Sequence, residues 1–464
     1  MSTSSAAPRA SRVRYLVLLM LCLLAMITYM DRAMLGNAKG DIMGSIGKSE
    51  QDFFLILVAF QLAYALFEIP TGWMGDTYGP RKTLIRIVLW WSFFVALTAF
   101  TGWKFSYETW FYLLIGIQFL FGMGEAGAFP NMSRALYNWF PAKERGFAQG
   151  AMWLSARFMG GLTPLVWLVF TKYLGLDWRE TLWSFAAVAV MWCIIFYLFF
   201  TNTPKEHPKV NEEEAKIIDE NRQPPSGHAG VPWKAIFGNK NVIFLCLMYM
   251  VTNFNWYFLM YFVPRTLKTE FASFGAKKGG DLLLAVFGGA PLLVGMFGCL
   301  LGGYLTDLYF RRTNNRKMAR RVIGMAGYGL AGCCYILAAL SVGNLYAFAI
   351  SLMFVGFFND LILSPAWATA QDIGQRYSAI VSGAMNMIGN LGATLGIFIS
   401  GRILKAHTVT NDAGNDEVGS QAYIILFTIY AIIYGLGVFL WTQIDASKPI
   451  TVPEKPHDHE TATS

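Results

Sequence analysis

Charge is what this chain has least of. Only 14% of its 464 residues are Asp, Glu, Lys or Arg, where soluble domains carry roughly 25%. With 55% hydrophobic and 16% aromatic residues and a mean hydropathy of +0.42, the deficit marks a membrane protein and not a large soluble core. Histidine is scarce and misplaced for chemistry. His207, His228, His407, His457 and His459 all fall in polar links or the tail, so no imidazole is available inside the apolar runs for proton relay or metal binding. The six cysteines (Cys22, Cys193, Cys246, Cys299, Cys333, Cys334) lie within apolar runs. They form neither a disulfide framework nor a zinc spacing and read as small core side chains. No metal or other cofactor is expected. A membrane enzyme would need a nucleophile with a base, or a metal cluster, and no His or Cys grouping supplies one. An ATP-driven pump is disfavoured as well: the nearest match to a phosphate loop, GSIGKS at 44–49, has Ile42 where the first glycine belongs. Intramembrane acid–base chemistry therefore falls to carboxylates.

What the chain does have is long apolar runs. A membrane span needs about 20 apolar residues, and segments 13–37, 53–75, 84–102, 109–133, 147–173, 181–201, 239–267, 282–306, 321–341, 345–370, 379–404 and 423–444 qualify. The first follows Arg9, Arg12 and Arg14 like a signal peptide, yet it is long, has no clear cleavage site and carries Asp31 and Arg32, so a retained span is expected. The formal charge of +8 does not point to nucleic acid, because Lys and Arg sit in short links between apolar runs. Arg81, Lys82 and Arg86, then Arg134, Lys143 and Arg145, then Arg311 to Arg321 share one side if both termini are cytoplasmic, which is the positive-inside pattern. Residues 202–238 form the one long polar insert. The expected organisation is a six-span bundle over 1–201, a cytoplasmic linker over 202–238, a second six-span bundle over 239–444 and a tail over 445–464. The link at 405–422 is expected to be a solvated loop.

Two acids stand out in the apolar runs. QFLFGMGEAGAFPNMSRALYNWFPAKER (118–145) drops Glu125 into a glycine-rich span. A charge at the centre of a bilayer costs at least about 2.5–3.5 kcal/mol, so such a residue is a functional candidate. The stretch recurs at 354–383, where Asp360 precedes Pro365 as Glu125 precedes Pro130. In TYMDRAML, Asp31 and Arg32 are neighbours and project about 100° apart on a helix. At least one of them faces the interior. GWMGDTYGPRK, with Gly72, Asp76, Gly79, Arg81 and Lys82, is echoed by GGYLTDLYFRR, with Gly303, Asp307 and Arg311. The glycines permit close helix approach and the aspartate caps or pairs with a neighbouring helix end.

These links resemble the cytoplasmic motif of the major facilitator superfamily, present in both halves. YMDR, LAYALFEIPTGWMGD, GMGEAGAFP and NWFPAKERG resemble its anion:cation symporter branch, which includes bacterial hexuronate and aldonate permeases and animal sialic acid and vesicular glutamate carriers. The resemblance implies an all-α integral membrane protein with twelve transmembrane helices in two pseudo-symmetric six-helix bundles. It implies protonatable acids at Asp31 and Glu125, an anion-handling Arg32, and cavity positions at Tyr29, Tyr64, Asn386, Ser364 and Trp367. The link motifs would be gating or structural. Where the branch usually has an arginine two turns before the span-four acid, this chain has Gln118. Span five carries Arg157 instead, either replacing that charge across the cavity or pairing structurally with a carboxylate. Trp256, with Asn253, Asn255 and Tyr257 in span seven and Asn390 in span eleven, either hydrogen-bonds a sugar or makes interhelix contacts. Glu68, before Pro70, is favoured as a structural pair, and Asp360 as the repeat partner of Glu125.

An anion entering a low-dielectric cavity needs fixed positive charge, and a guanidinium grips a carboxylate with two parallel hydrogen bonds. A desolvated carboxyl has a raised pKa and takes a proton near neutral pH. Together these imply proton-coupled symport of a small organic anion, a hexuronate or aldonate, by a monomer in a bacterial-type inner membrane. An aromatic or dicarboxylic acid, sodium coupling or exchange, and a non-transporting sensor are the alternatives.

Overall fold

The computed structural model describes residues 9–48, 52–219, 231–256, 258–259, 263, 267, 280–410 and 416–451. The first half runs α1 (Val13–Asn37), short α2 (Lys39–Ser45), α3 (Phe53–Tyr78), α4 (Pro80–Thr98), α5 (Tyr107–Glu125), α6 (Ala128–Trp139), α7 (Arg145–Leu168) and α8 (Trp178–Phe199). Short helices α9 (Glu212–Asp219) and α10 (Trp233–Phe237) occupy the linker. The second half comprises α11 (Lys240–Phe254), α12 (Gly280–Thr313), α13 (Arg316–Leu340), α14 (Leu345–Gly374), α15 (Ser378–Ala406) and α16 (Ser420–Gln443). Nine helical runs among the described residues are long and apolar enough to cross a membrane, and the one over Leu345–Ala406 is α14 and α15 end to end. The remaining predicted spans fall on α4, whose first turns carry Arg81, Lys82 and Arg86, and on the shorter α11. Tyr257, Lys277 and Lys278 lie outside the described residues.

Helix ends follow local chemistry. Pro80 opens α4 after Gly79, whose φ of 85° favours glycine. Asp177 and Glu180 form a reciprocal capping box on α8, and Asn315 and Asn344 accept from Met318 N and Ala347 N at the starts of α13 and α14. Both faces of the helices are apolar. On α1, Val17, Leu21 and Leu24 are buried while Leu16, Leu19 and Leu23 are exposed. A helix hydrophobic all round belongs in lipid.

Two local expectations change. The fourth span is not one helix, because α5 stops at Glu125 and α6 restarts at Ala128. Pro130 sits in the first turn of α6, where its missing N–H has no helical acceptor to lose. The corresponding acid of the repeat, Asp360, lies inside unbroken α14. The 405–422 link carries an antiparallel ribbon, β1 (Thr408–Thr410) with β2 (Asp416–Val418), Thr408 opposite Val418. The β-branched Thr-Val-Thr run suits an extended strand.

The halves meet along two related seams, α3 on α15 and α7 on α12. At each seam a link-motif glycine lets backbones touch. A Cβ on Gly72 would lie 2.5 Å from the Ala379 carbonyl oxygen, and one on Gly303 would lie 2.2 Å from that of Gly146. Gly303→Leu is therefore expected to destabilise the detergent-solubilised protein by about 1–3 kcal/mol, the range for overpacking. Gly289→Leu, on the same helix but with nothing within 4 Å, should leave the melting temperature unchanged in a parallel thermal unfolding scan.

Candidate anion-binding cavity

Between the halves lies a small cavity lined by residues of both. Its walls bring together Tyr29 and Arg32 of α1, Tyr64 of α3, Phe129 of α6, Trp153 and Arg157 of α7, Tyr249, Thr252 and Asn253 of α11 with Trp256 just after it, Asn359 and Leu363 of α14, and Asn386 and Asn390 of α15. Guanidinium, phenol, indole and amide groups thus share one chamber inside an apolar bundle.

The break after α5 places the Glu125 carboxylate where it meets Arg32, with Arg32 Nε 2.6 Å from Glu125 Oε1. Glu125 is buried, and the Arg32 guanidinium carbon lies 4.4 Å from the centre of the Tyr64 ring. Among the described residues no hydrogen-bond partner reaches Arg32 Nη2 or Glu125 Oε2. Asp31 and Arg32 part company as their 100° offset requires. Asp31 is 1% exposed, near Glu125 and facing the Trp91 indole, and its carboxylate oxygens have no hydrogen-bond partner among the described residues. Both acids lie inside the protein, away from the lipid-facing surface.

Arg157 makes a fork onto Asp360, Nε to Oδ2 at 3.0 Å and Nη2 to Oδ1 at 3.2 Å. Its Nη1 donates to the Tyr29 hydroxyl at 2.7 Å, and its guanidinium carbon lies 3.8 Å from the Trp256 ring centre. Glu68 is fully buried on α3. It accepts from the Asn386 amide and, at 3.5 Å, from Asn390 Nδ2, both on α15, so the acid joins the two halves.

Three expected contributors do not line the cavity. Gln118 is buried, its amide donating to Thr98 Oγ1 at 3.2 Å within the first half. Ser364 Oγ donates to the Cys299 carbonyl at 2.5 Å in the packing of α14 on α12. Trp367 sits one layer behind, its Nε1 donating to the Tyr249 hydroxyl at 3.1 Å and its ring 5.3 Å from that of Trp153. Asn255 bonds the hydroxyls of Tyr335 and Tyr434 in the second half. Sequence reading missed Phe129, Trp153, Tyr249, Thr252, Asn359 and Leu363. Nothing in an all-apolar run separates the ring that faces a cavity from the ring that faces a helix.

The link motifs close one face. Asp76 accepts from Ala379 N at 3.1 Å and Ile380 N at 2.8 Å, the first amides of α15, with Arg134 Nε 3.5 Å away. Asp307 accepts from Gly146 N at 3.1 Å and Phe147 N at 2.7 Å, the first amides of α7, with Arg320 Nη1 at 3.3 Å. Each carboxylate thus caps a helix of the opposite half, where orphan amides and the helix dipole favour negative charge. Asp372 adds a bridge, 2.8 Å from Arg145 and 3.1 Å from Arg320. The other motif cations are more peripheral. Arg81 bonds the Tyr197 carbonyl at the end of α8, Lys82 is exposed, and Arg311 Nη2 is 3.7 Å from Glu144.

The sequence profile of the Major Facilitator Superfamily matches residues 21–397. The chain is 32% identical to a probable sulfoacetate transporter of Cupriavidus necator over 81% of its length and 84% of that protein's. It is 27% identical to a probable galactarate/D-glucarate transporter of Bacillus subtilis over 88% and 89%, and 27% identical to a D-galactonate transporter of Escherichia coli over 90% and 97%. Among solved structures the proton:xylose symporter XylE superposes with a TM-score of 0.68 at 14% identity, covering 94% of this chain and 98% of that one. The human organic anion transporter MFSD10 superposes with a TM-score of 0.62 at 12% identity, covering 93% and 100%.

The seam geometry makes a prediction. Asp307→Asn weakens both amide contacts at the start of α7 and leaves Arg320 with less counter-charge. Alkylation of Cys299, buried on α12 beside the seam, should quicken by roughly ten-fold or more, as expected for losing a hydrogen bond to a charged group worth about 1.5–3 kcal/mol. Site-resolved mass spectrometry is the readout, with Cys246 of α11 as the unchanged control.

Proposed function

The chain belongs to the Major Facilitator Superfamily, and from that premise we propose that it carries a small organic anion, a sugar acid of the hexuronate or aldonate kind, across the membrane together with protons. The observation that carries this reading is the Arg32–Glu125 pair, buried on one side and lining a cavity on the other. In the low dielectric of the bundle a guanidinium holds one acid at a time at full strength. A proton on Glu125 removes the competitor and leaves Arg32 to the substrate. Loss of that proton restores the internal pair and expels the anion. Asp31, beside Glu125 and with no hydrogen-bond partner on either oxygen among the described residues, is the second acid assigned to the proton path.

The neutral part of the cavity suits a polyol. Tyr29, Tyr64 and Trp256 offer flat faces to C–H groups, and Asn253, Asn386 and Asn390 offer amides to hydroxyls. The names of the relatives, galactarate, D-glucarate and D-galactonate transporters, support the same class. A second reading, a two-carbon sulfonated acid, is favoured by the 32% identity to a probable sulfoacetate transporter. Orientation follows the basic links. Arg14 at the start of α1 pairs with Glu144 and Glu214, and Asp445 after α16 pairs with Lys317. Both ends of the bundle thus lie at the face sealed by Asp76 and Asp307, assigned here to the cytoplasm of a cell with a single inner or plasma membrane. Carriage is by a monomer through alternating access, the two capped seams at this face parting together when the cavity opens toward it.

Glu125→Gln is expected to abolish accumulation driven by an acid-outside gradient in proteoliposomes while substrate exchange persists. Undiminished accumulation by the variant removes Glu125 from the proton path. No uptake of any sugar acid or sulfonate by the wild type defeats the functional reading.

A further inference from the structure

Every nitrogen of Arg157 already has a partner. Nε and Nη2 are forked onto Asp360 and Nη1 is on Tyr29. The pair joins α7 of the first half to α14 of the second, with both side chains buried. Arg32, by contrast, keeps Nη2 without a partner among the described residues. Both guanidinium groups line the same cavity. The Tyr29 ring centre lies 5.8 Å from the Arg32 guanidinium carbon and 5.7 Å from that of Arg157, so the two carbons are no further apart than those distances together, about 11.5 Å. Two acid groups on a short carbon chain span such a gap. An acid group gripping Arg157 through its fork must displace Asp360.

We propose that Arg157 and Asp360 form a second anion grip, so that the carried molecule bears two acid groups and moves with two protons, one on Glu125 and one on Asp360. This rests on the anion-transport reading above and narrows its cargo from a monoacid such as a hexuronate or aldonate to a diacid, with Asp31 passing on the Glu125 proton and carrying none of its own. With both pairs closed, two cations balance two anions. A monoanion on Arg32 with one proton on Glu125 keeps that balance and leaves Arg157 on Asp360. A dianion engages both cations only when both carboxylates are neutralised. Each proton enters as the carboxylate O–H and leaves the same way, and no other bond changes. Among the described residues the surroundings of Asp360 give its anion no other cation: Asn359 lies at 3.5 Å, the Cys299 thiol faces it from α12 and the Tyr434 phenol from α16. Glu125 is faced by Arg32 and Asp31 of α1 and Tyr64 of α3, and Glu68 of α3 faces Arg32.

Calorimetric titration of the purified full-length protein with matched acids tests this. D-Glucarate and D-gluconate differ only in the second terminal acid, as sulfoacetate and acetate differ in the sulfonate. The wild type is expected to bind the diacid of at least one pair about ten-fold or more tighter, and on the alkaline limb its dissociation constant should rise about 100-fold per pH unit, against about 10-fold for the monoacid. Asp360→Asn, which frees Arg157, should reduce the diacid slope to about 10-fold per unit. The double variant Arg157→Gln with Asp360→Asn strands no buried charge. It should lose the diacid preference while monoacid affinity stays within about two-fold, less than one hydrogen bond's worth. Equal affinity for both members of each pair in the wild type, an unchanged diacid slope in Asp360→Asn, or parallel loss of both acids in the double variant overturns the second grip but leaves the carrier reading standing. Binding of none of the four acids by the wild type overturns both.

Discussion

Arg32 meets Glu125 at 2.6 Å inside a wall of aromatic rings, and Arg157, which shares the Tyr29 ring with Arg32, meets Asp360 at 3.0 Å. Taking such charges out of water costs several kcal/mol per ion, and removing one partner of a buried pair costs about 3–5 kcal/mol because the other is left uncompensated. A buried guanidinium here must always hold an acid, and a buried acid must hold a cation or a proton. That constraint links the occupant of the cavity to the protonation of its walls. On the proposed reading, exchange of partners becomes cheap only when a proton arrives or departs with the anion.

The same constraint shapes the closed face. Asp76 and Asp307 occupy equivalent positions in the two halves, and each lays its carboxylate across the first amides of a helix in the other half. Helix N-termini favour nearby anions by about 0.3–1 kcal/mol, more when partly buried. Arg134 and Arg320 supply counter-charge beside them, and Asp372 ties Arg145 to Arg320. Close approach of Gly303 to Gly146 is what brings the carboxylate within reach of amides rather than water. These contacts are polar and directional, and beside them Ala142 of the first half packs against Phe310 and Ala319 of the second.

Much of this was legible in the residues. Hydropathy located the spans, because lipid demands length and apolarity and nothing subtler. The acids at 31, 68, 125 and 360 announced themselves by standing where charge is costly. The link motifs could be found by their spacing, and the glycine-to-aspartate distance set which turn of helix faces the opposite half. Other features were illegible for physical reasons. Gln118 lies seven residues before Glu125, a separation that keeps both on one helical face. Yet α5 turns that residue toward Thr98, and Glu125 sits at a break the sequence pattern did not mark. Ser364 and Trp367 are polar-tipped residues in a span, but α14 points them at α12 and at a second layer of rings.

Composition and spacing by themselves determined that this is a membrane-spanning helical chain of two related halves with carboxylates and guanidinium groups in its interior. They did so because solvation by lipid is a property of segments, readable one run at a time. Only the tertiary structure decided which acid meets which arginine: Glu125 with Arg32, Asp360 with Arg157, and Glu68 with the amides of α15. Those pairings join helices far apart in the chain, and at distances of about 3 Å a rotation of one residue about a helix axis, roughly 100°, exchanges a partner for a lipid tail.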